Sequence, residues 1–203
     1  TVAWYRKTVP IPASAAGRRV LLRFHGAATE ARVWVNGREA GSHVGAWTPF
    51  TFDVTDAVTP GAAATIAVRL DEKVGHNTQG FLPIVAPHFG GLWQPVELLL
   101  VGRAWLDDMH ARLDAARVDP ATGNAVLSVT VPVIGAAEGE QARFLLFGPD
   151  GAFAGGGDAP LGAGASRAFA AWRWEGRAAL WDIGAPNLYT LAVSLAGDRA
   201  VFR

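Results

Sequence analysis

The sequence predicts an all-β protein, and three observations support this prediction. Apolar residues alternate with polar ones at period two in almost every dense segment, and few segments keep the spacing of a helix. These segments are about five residues long, and turn residues separate them roughly every ten positions. One of them runs directly into Asn36-Gly37, the pair that favours the type I′ turn of a two-residue β-hairpin. The pattern favours β-sandwiches or jelly rolls over a parallel α/β sheet.

In the first half, the dense apolar segments predict strands at residues 20–24, 32–35, 50–54, 66–70 and 96–100. Within the third of these, Phe50, Phe52 and Val54 are expected to face one side of the sheet. Thr51 and Asp53 are expected to face the other, because successive strand side chains point to opposite faces.

The second half repeats this pattern. Residues 127–133 alternate, and Pro132 predicts an edge strand or a bulge because proline has no N–H to donate. Residues 144–147 end at a Gly-Pro-Asp-Gly turn, and the Gly- and Ala-rich residues 155–164 are interpreted as a loop. A last strand is expected over 189–195. Roughly seven strands in about 100 residues fit an immunoglobulin-like sandwich without its disulfide.

Length and composition limit the possible functions. The 203 residues suffice for two domains, 1–102 and 103–203, with a boundary near Gly102-Arg103, where Trp105 opens the next segment. The 18 basic and 18 acidic residues balance, so we expect neither nucleic acid nor a membrane as partner. No apolar run approaches the roughly 20 residues of a membrane helix. The absence of cysteine excludes disulfides and thiolate metal sites, and leaves the cellular compartment open.

Several motifs occur in the order in which one enzyme family has them. They are Trp4-Tyr5-Arg6, Phe24-His25-Gly26, Val33-Trp34-Val35-Asn36-Gly37, the set Gly41, His43, Gly45, Trp47, Pro49 and Phe50, then Phe52-Asp53-Val54-Thr55, Gly90-Gly91-Leu92-Trp93-Gln94-Pro95-Val96, Leu180-Trp181, Pro186-Asn187-Leu188-Tyr189 and Leu191. Together they resemble the N-terminal region of glycoside hydrolase family 2, the β-galactosidases, β-glucuronidases and β-mannosidases. Gln94 stands where the family has Arg.

The resemblance implies a jelly-roll, sugar-binding-like domain followed by an immunoglobulin-like domain. In whole family members, a (β/α)₈ barrel follows and carries two Glu residues that perform retaining hydrolysis. The acid/base of the family follows an Asn, and no Asn of this chain precedes a Glu. Asp107 and Asp108 are expected to face opposite sides of a strand and so cannot converge. We therefore expect no catalytic residue in this chain and no hydrolysis of a chromogenic glycoside by it.

Metal and cofactor sites are not expected either. The five His residues, among them His43 and His88, are scattered without short ligand spacing, and we expect His43 to be satisfied by backbone groups in a tight turn. Gly155-Gly156-Gly157 and the Gly162/Gly164 pair lack the features of a phosphate-binding loop. We expect no cofactor and no metal.

The connection from Glu72 to Leu92 is the strongest candidate for a functional segment, because such long connections are usually functional or disordered. It contains groups able to hydrogen-bond to a sugar or stack on it: His76, Asn77, Gln79, His88 and Phe89, with Phe81. In relatives, this loop leans towards the active site and often brings an Asp, whereas no carboxylate lies between Glu72 and Glu97 here. Packing of Phe81, Pro83, Pro87 and Phe89 against a barrel is an equally weighted alternative.

The eight Trp residues are expected mostly to be structural. Trp4, Trp34, Trp93 and Trp105 lie in or beside predicted strands, where burial in a core or interface is the ordinary role. Trp172 and Trp174 share one face of a strand and are candidates to cover the join to a further domain. Trp47 lies at a loop entry, is the tryptophan that we expect to be exposed, and joins the candidate substrate contacts.

Three functions follow from this pattern. The first is the non-catalytic N-terminal region of a family 2 glycosidase, whose parent protein binds carbohydrate in its cleft and whose catalytic barrel is the intramolecular partner. The second is an autonomous carbohydrate-binding module. The third is a purely structural or oligomerisation element, because fold alone does not fix function.

Overall fold

The computed structural model describes residues 2–72, 90–119, 121–174, 178–195 and 198–202. Within these ranges, regular structure consists of β-strands and three-residue 3₁₀ turns, so the predicted all-β class is confirmed. The chain divides into two compact units, Thr1–Val101 and Gly102–Arg203. Each is a β-sandwich, the first of jelly-roll type and the second immunoglobulin-like.

The first unit contains two antiparallel sheets. Its strands are β1 Val2–Pro10, β2 Arg19–Phe24, β3 Ala27–Ala28, β4 Glu30–Val35, β5 Arg38–Val44, β6 Phe50–Asp53, β7 Ala63–Asp71, β8 Gly91–Leu92 and β9 Val96–Val101, with 3₁₀ turns at Ala13–Ala15 and Thr55–Ala57. One sheet has the order β1-β7-β4-β5 and the other β6-β2-β9, while β3 pairs with β8.

The β4–β5 hairpin forms at the predicted turn. Asn36 and Gly37 have φ values of 50° and 83°, the left-handed conformations that a type I′ turn requires. The Asn36 side chain also fixes the turn to the sheet, because its Nδ2 donates to the Ala57 carbonyl and its Oδ1 accepts from the Thr65 N–H, each at 2.8 Å.

The core of the first unit lies between its two sheets. Alternate residues of β4 and β7 are buried from one side, and Val20, Leu22 and Phe24 from the other. Phe24 stacks on Phe50 with ring centroids 4.8 Å apart. The predicted period-two patterns of β4, β6 and β7 are confirmed by this burial.

The second unit also contains two antiparallel sheets. Its strands are β10 Trp105–Leu106, β11 Arg112–Val118, β12 Ala125–Ile134, β13 Gln141–Phe147, β14 Phe153–Pro160, β15 Arg167–Trp174, β16 Trp181–Asp182, β17 Ala185–Pro186, β18 Thr190–Leu195 and β19 Asp198–Phe202, with a 3₁₀ turn at Asp108–His110. In one sheet β12 pairs with β10, β11 and β15; the other has the order β14-β13-β18-β19, and β16 pairs only with β17. Alternate residues of β12, β13 and β18 form the core, as expected for the strands over 127–133 and 189–195.

The prediction from Pro132 was wrong, because β12 is an interior strand and the residue pairs regularly with Arg167 of β15. On its other side, β11 pairing ends at Thr130 and β10 pairing begins at Val133. The Pro132 carbonyl accepts from the Asp107 N–H at 2.9 Å on that side. The position where Pro132 lacks an N–H therefore lies between the end of β11 pairing and the start of β10 pairing, so the proline removes no hydrogen bond from either ladder.

The prediction of a loop at residues 155–164 was also wrong over most of this range. Gly155, Gly156 and Gly157 belong to β14 and pair with Leu146, Leu145 and Phe144. A Cβ at Gly156 would collide with the Phe144 carbonyl oxygen, so the missing side chain allows the two backbones to approach. Only residues 161–164 lie outside the strand.

Candidate functional site

The 72–92 connection leaves and re-enters the first unit beside one short segment, Ala28-Thr29. Asp71 ends β7, and its carbonyl accepts a hydrogen bond from the Thr29 N–H at 3.4 Å. On the return, Gly91 pairs with Ala28 in the β3–β8 ladder. The two ends of the connection are therefore fixed to adjacent residues, whereas His76, Asn77, Gln79, His88 and Phe89 lie outside the described residues.

The same segment holds the loop that carries Trp47. The Gly45 N–H donates to the Thr29 carbonyl at 2.9 Å, at the point where β5 gives way to the 45–49 loop. Thr29 is buried, and its Oγ1 has no hydrogen-bond partner among the residues that the structure describes. Thr29 thus links the start of the connection to the 45–49 loop. This loop carries Trp47, the one sequence-predicted substrate contact that the structure describes.

Trp47 is exposed over 45% of its surface, as the sequence predicted for a loop aromatic. Its ring meets Trp93 edge to face, with centroids 4.8 Å apart and planes at 68°. Trp93 is half-buried, and its Nε1–H donates to the Ala46 carbonyl at 2.9 Å. A half-buried partner therefore fixes the exposed ring in place.

Trp93 takes this position because of an irregularity in pairing between two chain segments. Phe24 pairs with Val96 and Ala27 pairs with Leu92. Two residues, 25–26, therefore lie opposite three residues, 93–95. Such an extra residue forms a bulge, which redirects side chains. A Cβ at Gly26 would lie 2.9 Å from Cε2 of Trp93, so the indole packs against a bare backbone.

His43 lies near this site, although the expectation of a backbone-satisfied turn residue was wrong. It is a strand residue of β5, opposite Ala31 of the core-facing row. Its Nε2 lies 3.1 Å from the Thr48 Oγ1, and its ring stacks on Phe50 at 4.1 Å. Partial burial lowers the pKa of His43, which favours the neutral imidazole.

Other tryptophans do not converge on this site. Trp4, expected in a core or interface, is 63% exposed and stacks on Trp34 at 5.4 Å on the outer face of its sheet. Trp172 and Trp174 pack on the core of their own unit, the latter edge to face with Tyr189. Trp181 is exposed as well, over 60% of its surface.

Several of the described carboxylates are held by local partners. Asp107 is not a strand residue; it caps the 3₁₀ turn, accepts from the Met109 N–H, and lies 2.7 Å from the His110 Nδ1. Burial opposes ionisation of Asp53, but bonds from Thr55 and Arg19 outweigh it and lower its pKa. Bonds from Ala121 and Thr122 lower the pKa of Asp119, and an Arg143 bond lowers that of Asp158.

A separate groove of about 580 Å³ opens between the edge strands β1 and β9. Its wall is mainly apolar, with Arg6, Lys7 and Glu97 among the lining residues. It contains none of the sequence-predicted site residues. Across the described ranges, no three His, Asp or Glu side chains are grouped to hold a metal ion, and no helix is long and apolar enough to cross a membrane.

Comparison with known proteins identifies the first unit. Residues 1–81 match the family described as glycosyl hydrolase 2 galactose-binding domain-like. The predicted resemblance to the N-terminal region of glycoside hydrolase family 2 is confirmed. Two curated enzymes are similar in sequence: a β-galactosidase of Thermoanaerobacter pseudethanolicus, 30% identical over 66% of this chain, and a β-glucuronidase of Paenibacillus borealis, 35% identical over 37% of it.

Solved family 2 structures have the same fold over nearly the whole chain. Bifidobacterium dentium β-glucuronidase, complexed with coumarin-3-O-glucuronide, covers 98% of this chain with a TM-score of 0.79 and 26% identity. A family 2 member from Bacteroides cellulosilyticus covers 99% with a TM-score of 0.80 and 22% identity, a likeness of fold.

The matched relatives are much longer than this chain. The chain covers 18% of the Thermoanaerobacter enzyme and 13% of the Paenibacillus enzyme. It covers 38% of the Bifidobacterium structure and 28% of the Bacteroides structure.

Proposed function

We propose that this chain is the non-catalytic N-terminal region of a family 2 glycoside hydrolase. It comprises two domains, 1–102 and 103–203, that support a (β/α)₈ barrel in the parent protein. The 72–92 connection and Trp47 contribute to the rim of the carbohydrate-binding cleft. The parent is a retaining β-glycosidase, and its substrate class is that of the relatives, β-galactosides or β-glucuronides.

The observation that carries this proposal is the asymmetry of coverage. The Bifidobacterium enzyme matches 98% of this chain, yet the chain accounts for only 38% of that enzyme. The greater part of such an enzyme is therefore available for chemistry that this region does not perform.

The carboxyl groups support the non-catalytic part of the proposal. A general acid that works near neutral pH needs a carboxyl whose pKa is raised. Asp53, Asp119 and Asp158 have lowered pKa values, and each accepts hydrogen bonds that favour the charged form.

The geometry around Trp47 supports a role at the cleft. Flat aromatic rings provide large contact areas at low conformational cost, and Trp93 already limits the freedom of this ring. The loop is bonded to Thr29, and the Ala28-Thr29 segment also holds both ends of the 72–92 connection.

Hydrolysis of chromogenic β-D-galactosides and β-D-glucuronides tests the catalytic assignment. The full-length parent is expected to turn over one of them, while the 203-residue chain leaves both intact. Turnover by the 203-residue chain that survives repurification would contradict the non-catalytic role.

Trp47→Ala in the full-length parent tests the cleft assignment. Loss of one stacking surface is expected to raise KM by roughly tenfold, equivalent to about 1.4 kcal/mol, with little change in kcat. Trp4→Ala is the matched control, because that ring is exposed on the outer sheet face of the same unit. Equal effects of the two substitutions would remove Trp47 from the cleft.

A further inference from the structure

The β16–β17 hairpin of the second unit exposes an unusual set of apolar side chains. Trp181 is 60% exposed and Ile183, at the turn, 89% exposed; Leu180 and Leu188 also expose more than half their surface. All four lie within nine residues. Their summed exposed surface is on the order of 500 Å².

Apolar side chains occupy both faces of this hairpin. Trp181 pairs with Pro186 and Asp182 pairs with Ala185, so each pair lies on one face of the hairpin, and all four residues are exposed. A hairpin that packed only on its own domain would have one covered and one polar face. Exposure on both faces indicates an element that is inserted between other surfaces.

The base of the hairpin is held firmly. The Asn187 Nδ2 donates to the Leu180 carbonyl at 2.9 Å, and the Tyr189 hydroxyl accepts from the Ala179 N–H at 2.8 Å. The Tyr189 ring packs edge to face on Trp174, at 4.8 Å, against the domain core. A two-stranded ribbon is marginally stable alone, so this anchoring presents the apolar tip in a fixed position.

We propose that the β16–β17 hairpin inserts into an uncharged apolar recess of a further domain of the same polypeptide. The inference rests on the proposed function, in which the chain is part of a longer enzyme. The longer structural neighbours support a further domain as the partner of the hairpin. The Bifidobacterium enzyme matches nearly all of this chain, and 62% of its own length lies outside the match.

The charge of the hairpin also fits this occupant. Asp182 is the only charged residue between positions 179 and 189, and its Oδ1 already accepts the Ile183 N–H at 2.6 Å. The Asn187 amide is likewise engaged within the hairpin. A sugar would require polar groups directed outwards, whereas an apolar protein surface requires the exposed Trp, Leu and Ile side chains.

Hydroxyl-radical footprinting of the 203-residue chain and of the full-length polypeptide tests the insertion. Modification of Trp181 and Ile183 is expected to fall by about tenfold in the full-length protein, as their exposure drops to that of core residues. Phe153, 65% exposed on β14, is the internal control and should react equally in both. Equal rates at Trp181 and Ile183 in the two proteins would overturn the inference.

A second copy of the chain is the alternative partner that could cover the hairpin. Protection of Trp181 that appears in the 203-residue chain as its concentration rises, together with a dimer in sedimentation velocity, would assign the hairpin to self-association and overturn the proposal. The footprint does not depend on turnover. Protection in an inactive full-length protein would therefore retain the insertion while refuting the glycosidase assignment.

Ile183→Ser provides a second, independent test, with Phe153→Ser as its matched control. In the 203-residue chain, both side chains are exposed, so each change should leave the Tm nearly unaltered. In the full-length protein, only Ile183→Ser should increase the modification of Trp181 and lower the Tm. Identical behaviour of the two full-length variants would count against the insertion.

Discussion

Gly26→Ala tests whether the bulge at Gly26 and Trp93 organises the candidate site. The new Cβ would lie 2.9 Å from Cε2 and 3.0 Å from Cζ2 of Trp93, and 3.0 Å from Cγ of Gln94. The optimal van der Waals separation of two carbon atoms is about 3.5–4.0 Å, so the indole must move by roughly half an ångström or more.

The ring cannot move without cost. Its Nε1 is bonded to the Ala46 carbonyl at 2.9 Å, and its face meets Trp47. Loss of that hydrogen bond costs about 1 kcal/mol, and overpacking adds about 1–3 kcal/mol. We expect the free energy of unfolding of the first unit to fall by about 2–4 kcal/mol. For a unit of this size, its Tm then falls by roughly 10–30 °C.

Thermal unfolding followed by near-ultraviolet circular dichroism measures the effect, because the Trp47–Trp93 pair contributes to that signal. The decisive control is the same substitution in a Trp93→Ala background, where only the contact with the Gln94 Cγ at 3.0 Å remains and the cost should be smaller. A cost of the same size in that background would refute the argument from the clash, as would a single variant as stable as the wild type.

Two further predictions concern stability. Phe144 is fully buried in the second core, so Phe144→Ala should destabilise that unit by about 3–5 kcal/mol and leave the transition of the first unit in place, as calorimetry can resolve; the exposed Phe153→Ala should change neither. Because the pKa of Asp53 is lowered in the folded state, its carboxylate stabilises the fold fully at a pH above the usual pKa of an aspartate. This stabilisation is lost as the pH falls through the pKa of the folded state. Urea unfolding between pH 5 and about pH 2 should therefore be less pH-dependent in Asp53→Asn than in the wild type or Asp56→Asn, and equal slopes would contradict this.

Local patterns determined most of what the sequence could predict about the fold. The Asn36-Gly37 turn and the period-two strands depend on neighbouring residues, so they are visible without the partner strand. Gly155–Gly157 form a strand only because Phe144, Leu145 and Leu146 pair with them, and composition alone favoured a loop. Pro132 was misinterpreted for the same reason, since its strand has different neighbours along its length.

Side-chain exposure was harder to predict than strand position. Alternation shows which residues share a face, but it does not show whether another layer covers that face. Trp4 was expected in a core or an interface, and in this chain its ring is 63% exposed. At the candidate site, the loop position of Trp47 predicted its exposure, whereas the contacts of Trp93 with Gly26 and of Thr29 with Gly45 join residues distant in sequence.

The anchoring at Ala28-Thr29 has an evolutionary consequence. Because the points of departure and return are secured to neighbouring residues, the intervening stretch can gain or lose residues without shifting the register of either sheet. Doubling the length of such a stretch costs only about 0.6 kcal/mol in closure entropy. Under the proposed role at the cleft rim, a change in this one insert would alter substrate preference, while the framework beneath it stays the same.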